Sequence, residues 1–175
     1  MPETEISNYA DADWDFILES IKRGKSVLVL GPDVYKSEDG IRIEEMLSQY
    51  LKAGNPEHPH IQAYYEKDGL FLFRDEKSKI KETSRIRNFY TQPNPESSEI
   101  FEKIAEIPIP IIITLFPDQR LSDTFTKLGI NHEFSFYNKN KPAKEFIHPV
   151  GSVPIIYNLL GYIEEDESLV LTYED

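Results

Sequence analysis

A Rossmann-like α/β fold, with a largely parallel sheet and helices on both faces, is predicted by three observations. Two short runs rich in isoleucine, leucine and valine, "SVLVLG" at 26–31 and "PIPIIITLF" at 108–116, read as buried strands. Amphipathic helical patterns precede both of them. A third run of the same kind, "VPIIYNLLGYI" at 153–163, follows a further helix. The 175 residues suit one domain with a real core. A hydrophobic fraction of 39% and an aromatic fraction of 12% argue for a folded globule rather than a disordered chain.

Each element follows from its local pattern. Residues 11–23 set Trp14, Ile17, Leu18 and Ile21 at helical spacing, and Gly24 supplies the stop. The strand over 26–31 leads into "GPDVYKSEDG", at the position where α/β domains usually bind ligands. Ile43, Met46, Leu47, Tyr50 and Leu51 mark an amphipathic helix over 42–53, closed by Gly54. The tract 61–90 is expected to be helical with a break near Gly69, and "TQPNPESS" at 91–98 to be a loop. "EIFEKIAEI" gives a helix running into the second strand, and 118–128 gives another, ended by Gly129. "HEFSFYN", "VPIIYNLLGYI" and "SLVLTYE" are the remaining strand candidates.

Composition excludes several classes. A net charge of −12 weighs against nucleic-acid or anionic-membrane binding, because phosphates must be met by clustered cations. The basic tract Lys77, Lys79, Lys81, Arg85 and Arg87, followed by Phe89 and Tyr90, reads as a solvated helix face countering acidic neighbours, with a nucleic-acid patch as the alternative. Absence of cysteine removes disulfides and thiolate zinc sites, and the acidic N-terminus is unlike a secretory signal. The longest apolar run, 107–116, is broken by prolines and falls short of a membrane span, so a cytoplasmic location is expected. No Gly-x-Ser-x-Gly elbow, phosphate-binding Gly-Lys-Ser/Thr loop or His-Glu-x-x-His helix occurs.

Three segments together carry a family resemblance: "GPDVY" after the first strand, "IPIPIIITLFPDQRLSDTF" from 107, and "PIIYNLLGYIEEDESLVLTYED" from 154. They resemble, in order, the motifs of the sirtuin-like family, in particular its zinc-less bacterial branch that hydrolyses NAD in anti-phage defence. "SLVLTYED" is the closest match. The resemblance implies a single domain over 1–175 with a helical insert over about 42–106. It also implies a domain truncated before the family's C-terminal sheet portion, so that an apolar edge strand near Asp175 awaits a partner.

The family's chemistry transfers unevenly. The resemblance places cofactor contacts at Gly31, Asp33, Thr114, Asp118 and Asn158. Asp33 replaces the family's second loop glycine, where a carboxylate would repel a pyrophosphate, and Pro32 removes one amide donor. Thr114 and Asp118 match the family pattern Thr-x-Asn-x-Asp, but Phe116 replaces its asparagine and has no hydrogen-bonding group. Leu160 stands in place of the family's catalytic histidine and cannot titrate. Tyr35 stands at a small hydroxyl position and is expected to fill the pocket.

No catalytic residue and no metal site is assigned on this reading, and no cofactor is expected, with NAD as the alternative. His132, His148 and Asn158 are the places where a substitute for the missing group would be sought. Asp33 with Asp118 forms either an acid/base or magnesium pair or, for Asp33, a plain helix cap, and Glu57, His58 and His60 read as a solvated loop before they read as metal ligands. The expected function is that of a catalytically degenerate sirtuin-like domain acting as a protein interaction or assembly module, part of a larger bacterial protein or complex. It would pair with a protein partner, or with the remainder of a longer chain, at the C-terminal sheet edge, without nucleic acid or membrane. The alternatives are a working NAD hydrolase or NAD/ADP-ribose sensor, and an ordinary Rossmann-like nucleotide domain. Gly31-Pro32-Asp33 is not a conventional loop for the last of these.

Overall fold

The computed structural model describes residues 12–35, 39–92, 97–141 and 153–175. Among them, four parallel strands form the sheet, in the order β1 (Val27–Leu30), β4 (Ile111–Thr114), β6 (Ile155–Asn158), β5 (Glu133–Phe136). Helices flank it: α1 (Trp14–Lys22) before β1, α4 (Ser97–Ala105) before β4, and α5 (Arg120–Lys127) between β4 and β5. This is the expected Rossmann-like arrangement. Among the described residues no helix is long and apolar enough to cross a membrane.

Strand register explains where the core lies. Leu28, Ile112, Ile156 and Phe134 stand side by side on one face. They pack with Phe101 and Ile104 of α4 and with Leu121 and Phe125 of α5. Each fully buried side chain of this size stabilises the fold by ~1.5–3 kcal/mol. The next row on that face is Leu30, Thr114, Asn158 and Phe136, so Thr114 and Asn158 end adjacent strands as register partners. The opposite face carries Val27, Val29, Ile111, Ile113, Ile155 and Tyr157, of which the two valines are exposed.

The insert between β1 and β4 departs from the expected all-helical form. It holds α2 (Ile43–Leu51), a hairpin of β2 (Ile61–Tyr65) and β3 (Leu70–Phe73), α3 (Glu76–Tyr90) and α4. The expected helix over 61–75 is therefore corrected. Tyr64-Tyr65 and Leu70-Phe71 face each other across a turn closed by Asp68-Gly69, with Gly69 at φ +68°. Aromatic and β-branched runs on both sides of an Asp-Gly pair are a hairpin signal, and it outweighs the helical spacing. Asp75 then starts α3, its carboxylate accepting from Ser78 N at 2.8 Å.

A second correction concerns "SLVLTYE". Residues 169–175 form no sheet ladder with the other described residues. A 3₁₀ turn (Asp166–Ser168) leads into an irregular segment that buries Leu169 and Leu171. Phe71 N donates to Leu171 O at 2.8 Å, and the Asp175 carboxylate accepts from Leu171 N at 3.0 Å and Thr172 N at 2.9 Å. A carboxylate folding back onto its own backbone competes with strand pairing. Among the described residues the sheet edges are β1 and β5, so the partner expected at a C-terminal edge strand has no strand there to pair with.

The basic tract is absorbed within the fold. On α3, Lys79 pairs with Asp175, Lys81 donates to His60 at 3.0 Å, and Arg85 pairs with buried Glu82 at 2.7 Å. Arg87 Nε donates to Ile163 O at 3.0 Å, and its guanidinium also pairs with Asp166.

Candidate functional site at the carboxyl end of the sheet

The carboxyl ends of β4 and β6 bring Thr114, Asp118 and Asn158 together. Thr114 Oγ1 donates to Asn158 Oδ1 at 2.8 Å, with Phe116 O a second acceptor at 3.1 Å. Asn158 Nδ2 donates to Asp118 O at 2.7 Å. All three residues are buried. Both ends of the Asn158 amide are thus used within the protein, which is how a buried amide must be satisfied.

The Asp118 side chain points the other way. Its Oδ1 accepts from the Tyr35 hydroxyl at 3.1 Å and from Arg120 N at 3.1 Å. Its Oδ2 has no hydrogen-bond partner, and the nearest cation is Arg120 Nε at 3.7 Å. Burial pushes the Asp118 carboxyl above its ordinary pKa, against the opposing pull of Arg120 and the Tyr35 hydroxyl. Arg120 Nη2 donates to Tyr90 O and Gln92 O, each at 2.9 Å, while its Nη1 is buried without a partner. The guanidinium lies 5.3 Å from the Tyr35 ring centre.

Tyr35 fills the centre. It is 1% exposed, its ring meets Phe116 edge-on at 4.3 Å and Phe101 at 5.3 Å, and Phe116 is itself 2% exposed. Burial, then the nearby Asp118 charge, pushes the Tyr35 hydroxyl far above its ordinary pKa. It stays protonated and serves as a donor. The 3₁₀ turn Pro32–Val34 delivers Tyr35 to this position, and Tyr35 O also accepts from Ile43 N at 3.1 Å, fixing the start of α2.

Gly31 and Asp33 do not join the cluster. Gly31 has φ −85°, and a Cβ there would meet no atom within 4 Å, so neither backbone conformation nor packing demands glycine. Asp33 is exposed on the 3₁₀ turn, and the charged groups acting most on Asp118 are Arg120 and Asp123. Among the described residues no three His, Asp or Glu side chains converge as metal ligands. Leu160 is half-buried in the turn after β6.

Of the candidates for a substitute base, Asn158 lies in the cluster and His132 lies elsewhere. His132 precedes β5 and so lies at the amino end of the parallel sheet, opposite Thr114 and Asn158. Its Nδ1 donates to Ile130 O at 3.0 Å, which leaves Nε2 to accept from Ser122 Oγ at 2.7 Å. His60 contacts Ser78 and Lys81 in the insert. His148 and residues 93–96 of the loop lie outside the described residues.

Sequence reasoning missed Arg120 and Tyr90. The signal for Arg120 was a cation two residues after a buried acid in "PDQR". For Tyr90 it was an aromatic closing a basic helix, which resembles a nucleic-acid patch until the fold turns it inward. No protein-family model matches the chain, and no curated protein matches it.

Proposed function

We propose that this chain is a catalytically degenerate sirtuin-like domain that works as a protein interaction or assembly module within a larger bacterial protein or complex. The observation that carries this reading is the packing of Tyr35 on Phe116 at 4.3 Å, over Asp118, at the sheet end where a Rossmann-like fold takes its ligand. Where the family resemblance calls for a ribose-positioning amide there is a buried phenyl ring, and where it calls for a base there is Leu160. The polar residues kept from the pattern, Thr114 and Asn158, spend their hydrogen bonds on each other and on the backbone. What remains of the motif holds the strand ends together.

One observation favours a second reading, a sensor of NAD or ADP-ribose. Asp118 Oδ2 and Arg120 Nη1 are buried without partners, and a ligand that displaced Tyr35 would satisfy both.

Calorimetric titration with NAD and with ADP-ribose, with nicotinamide release measured on the same samples, separates the two. The proposal expects neither heat nor nicotinamide. Binding without turnover would establish the sensor instead, and nicotinamide release would overturn both. The variant carrying Phe116→Asn and Leu160→His should also release none, because Tyr35 still occupies the space beside position 116.

A further inference from the structure

The hairpin of the insert, the start of α3 and the segment 172–174 enclose a cavity of about 320 Å³. That is at the small end of ligand-binding cavities, which span about 300–1,000 Å³. Two tyrosines line it side by side, Tyr65 from β2 and Tyr173, with ring centres 5.2 Å apart and planes at 64°. Leu72 and Phe73 of β3 continue the apolar wall. Both tyrosines keep much of their surface in water, 39% for Tyr65 and 63% for Tyr173. The cavity shares no lining residue with the cluster of Tyr35, Asp118 and Asn158.

The walls are held in place by the fold. Phe71 N donates to Leu171 O at 2.8 Å, which lays the last described segment along β3. The Tyr173 hydroxyl donates to Asp68 Oδ2 at 2.5 Å, and Asp68 N and Gly69 N donate to Tyr65 O at 3.0 and 2.9 Å. The hairpin turn thereby ties the two rings to one another. Charge in the lining is mostly of one sign. Asp75, Glu76 and Glu174 belong to it and are exposed. Asp75 is engaged by Ser78 N and Arg74, whereas among the described residues the Glu76 and Glu174 carboxylates have no ion-pair partner. The cation in the lining, Lys79, is taken up by Asp175. Aromatic faces beside unmatched carboxylates attract a cation. Ring faces replace the water of a bare ammonium poorly, because they accept its hydrogen bonds only weakly. A methylated ammonium presents an apolar shell to them and has fewer hydrogen bonds to lose.

We propose that this cavity binds a trimethylalkylammonium group, with Tyr65 and Tyr173 against the methyls and Glu76 and Glu174 supplying the opposite charge. Two sources carry that chemistry, a free choline-like molecule and a trimethylated lysine side chain on a protein. The site goes beyond the reading of the sheet end and does not depend on it. A lone headgroup in a small, open cavity binds weakly, with a Kd of about 1 mM.

Magnetic-resonance titration of the full chain tests it, read on the amides of 70–75 and 171–174. Choline chloride is the probe, and sodium chloride at equal ionic strength is the blank. Dimethylbutanol, the neutral carbon analogue of choline, should bind about tenfold more weakly, because it keeps the shape and lacks the charge. Tyr173→Ala should weaken choline binding about tenfold. That change also removes the bond to Asp68, so a second variant carries Glu76→Gln and Glu174→Gln, both at exposed side chains without fold contacts. It should weaken choline about threefold or more at low salt. Short peptides with a trimethylated or an unmodified lysine separate the sources. A trimethylated peptide that binds more tightly than choline assigns the site to a protein partner, and the reverse order assigns it to a free small molecule. The proposal is overturned if choline gives no saturable shift by about 50 mM. It is equally overturned if dimethylbutanol or the unmodified peptide binds as well, or if the double glutamine variant binds choline unchanged. None of these results depends on NAD, so the reading of the sheet-end site stands or falls separately.

Discussion

Replacing Gly161 by alanine should be among the most damaging single changes in this chain. Gly161 sits at φ +89°, and a Cβ there would lie 2.1 Å from Ser168 O and 2.5 Å from Ser168 C. Both are backbone atoms, so no side-chain rotation relieves the overlap. The approach is close because the segment after β6 folds back on itself. Tyr162 N donates to Ser168 Oγ at 2.8 Å and Val170 N to Leu160 O at 3.2 Å. Gly129 provides the internal control, having φ +71° and no atom within 4 Å of the place a Cβ would take. Alanine at 129 therefore carries the left-handed backbone penalty alone, about 1–2 kcal/mol. Alanine at 161 adds the displacement of packed backbone, a further ~1–3 kcal/mol, for a total of about 2–5 kcal/mol. Urea unfolding with a common m-value reads the difference directly. If Gly161→Ala costs no more than Gly129→Ala, the close return of residues 161–169 onto the end of β6 is wrong.

The Asp175 carboxylate offers a pH test. Burial pulls its pKa up, but the Lys79 ammonium, Leu171 N and the Thr172 hydroxyl outweigh this and hold it below the ordinary 3.8. A depressed carboxylate contributes stability that is full above its unfolded pKa and is lost as pH falls through the folded one. Asp175→Asn should cost about 1.5–3 kcal/mol at neutral pH, and its stability curve should meet the parent's in acid; parallel curves would contradict the clamp. Arg87→Ala removes the bond to Ile163 O and the pair with Asp166. It should speed amide exchange across 162–171 while leaving α5 unchanged, and uniform acceleration over the whole chain would mean that Arg87 acts globally.

Three strands of the sheet were legible because they are apolar and short, β1 included although Val27 and Val29 are exposed. Val27–Leu30, Ile111–Thr114 and Ile155–Asn158 are apolar runs with turn residues on either side, a pattern with few competing readings. The hairpin was not legible as such, since Ile61, Tyr64, Tyr65 and Phe71 satisfy helical spacing almost as well as alternation. The Asp68-Gly69 pair was the local signal against a helix, and the pairing of Tyr64 with Phe71 agrees with it. "SLVLTYE" misled for the opposite reason. Its β-propensity is high, but the Asp175 side chain occupies the Leu171 and Thr172 amides that a neighbouring strand would need. At the site, the identities of Thr114, Asp118 and Asn158 and their shared strand ends were readable. Tyr35 was expected to fill the pocket, but the part played by Arg120 was not readable, because it depends on the Tyr90 and Gln92 carbonyls that the insert places around it.

The clamps on α3 have a consequence for how the chain matures on the ribosome. Arg87 reaches Ile163 across 76 positions of sequence, and Lys79 reaches Asp175 across 96. Helix α3 is made early, yet its outer contacts cannot form until residues 163–175 have emerged. At synthesis rates of roughly 5–20 residues per second that interval lasts several seconds. During it the hairpin carries Phe71 without Leu171 beside it, and Lys79 and Arg87 of α3 lack their distant partners. Residues 163–175 therefore act as a latch on a module begun much earlier, and nascent chains that stall before them would display an apolar hairpin to the cell's holdases.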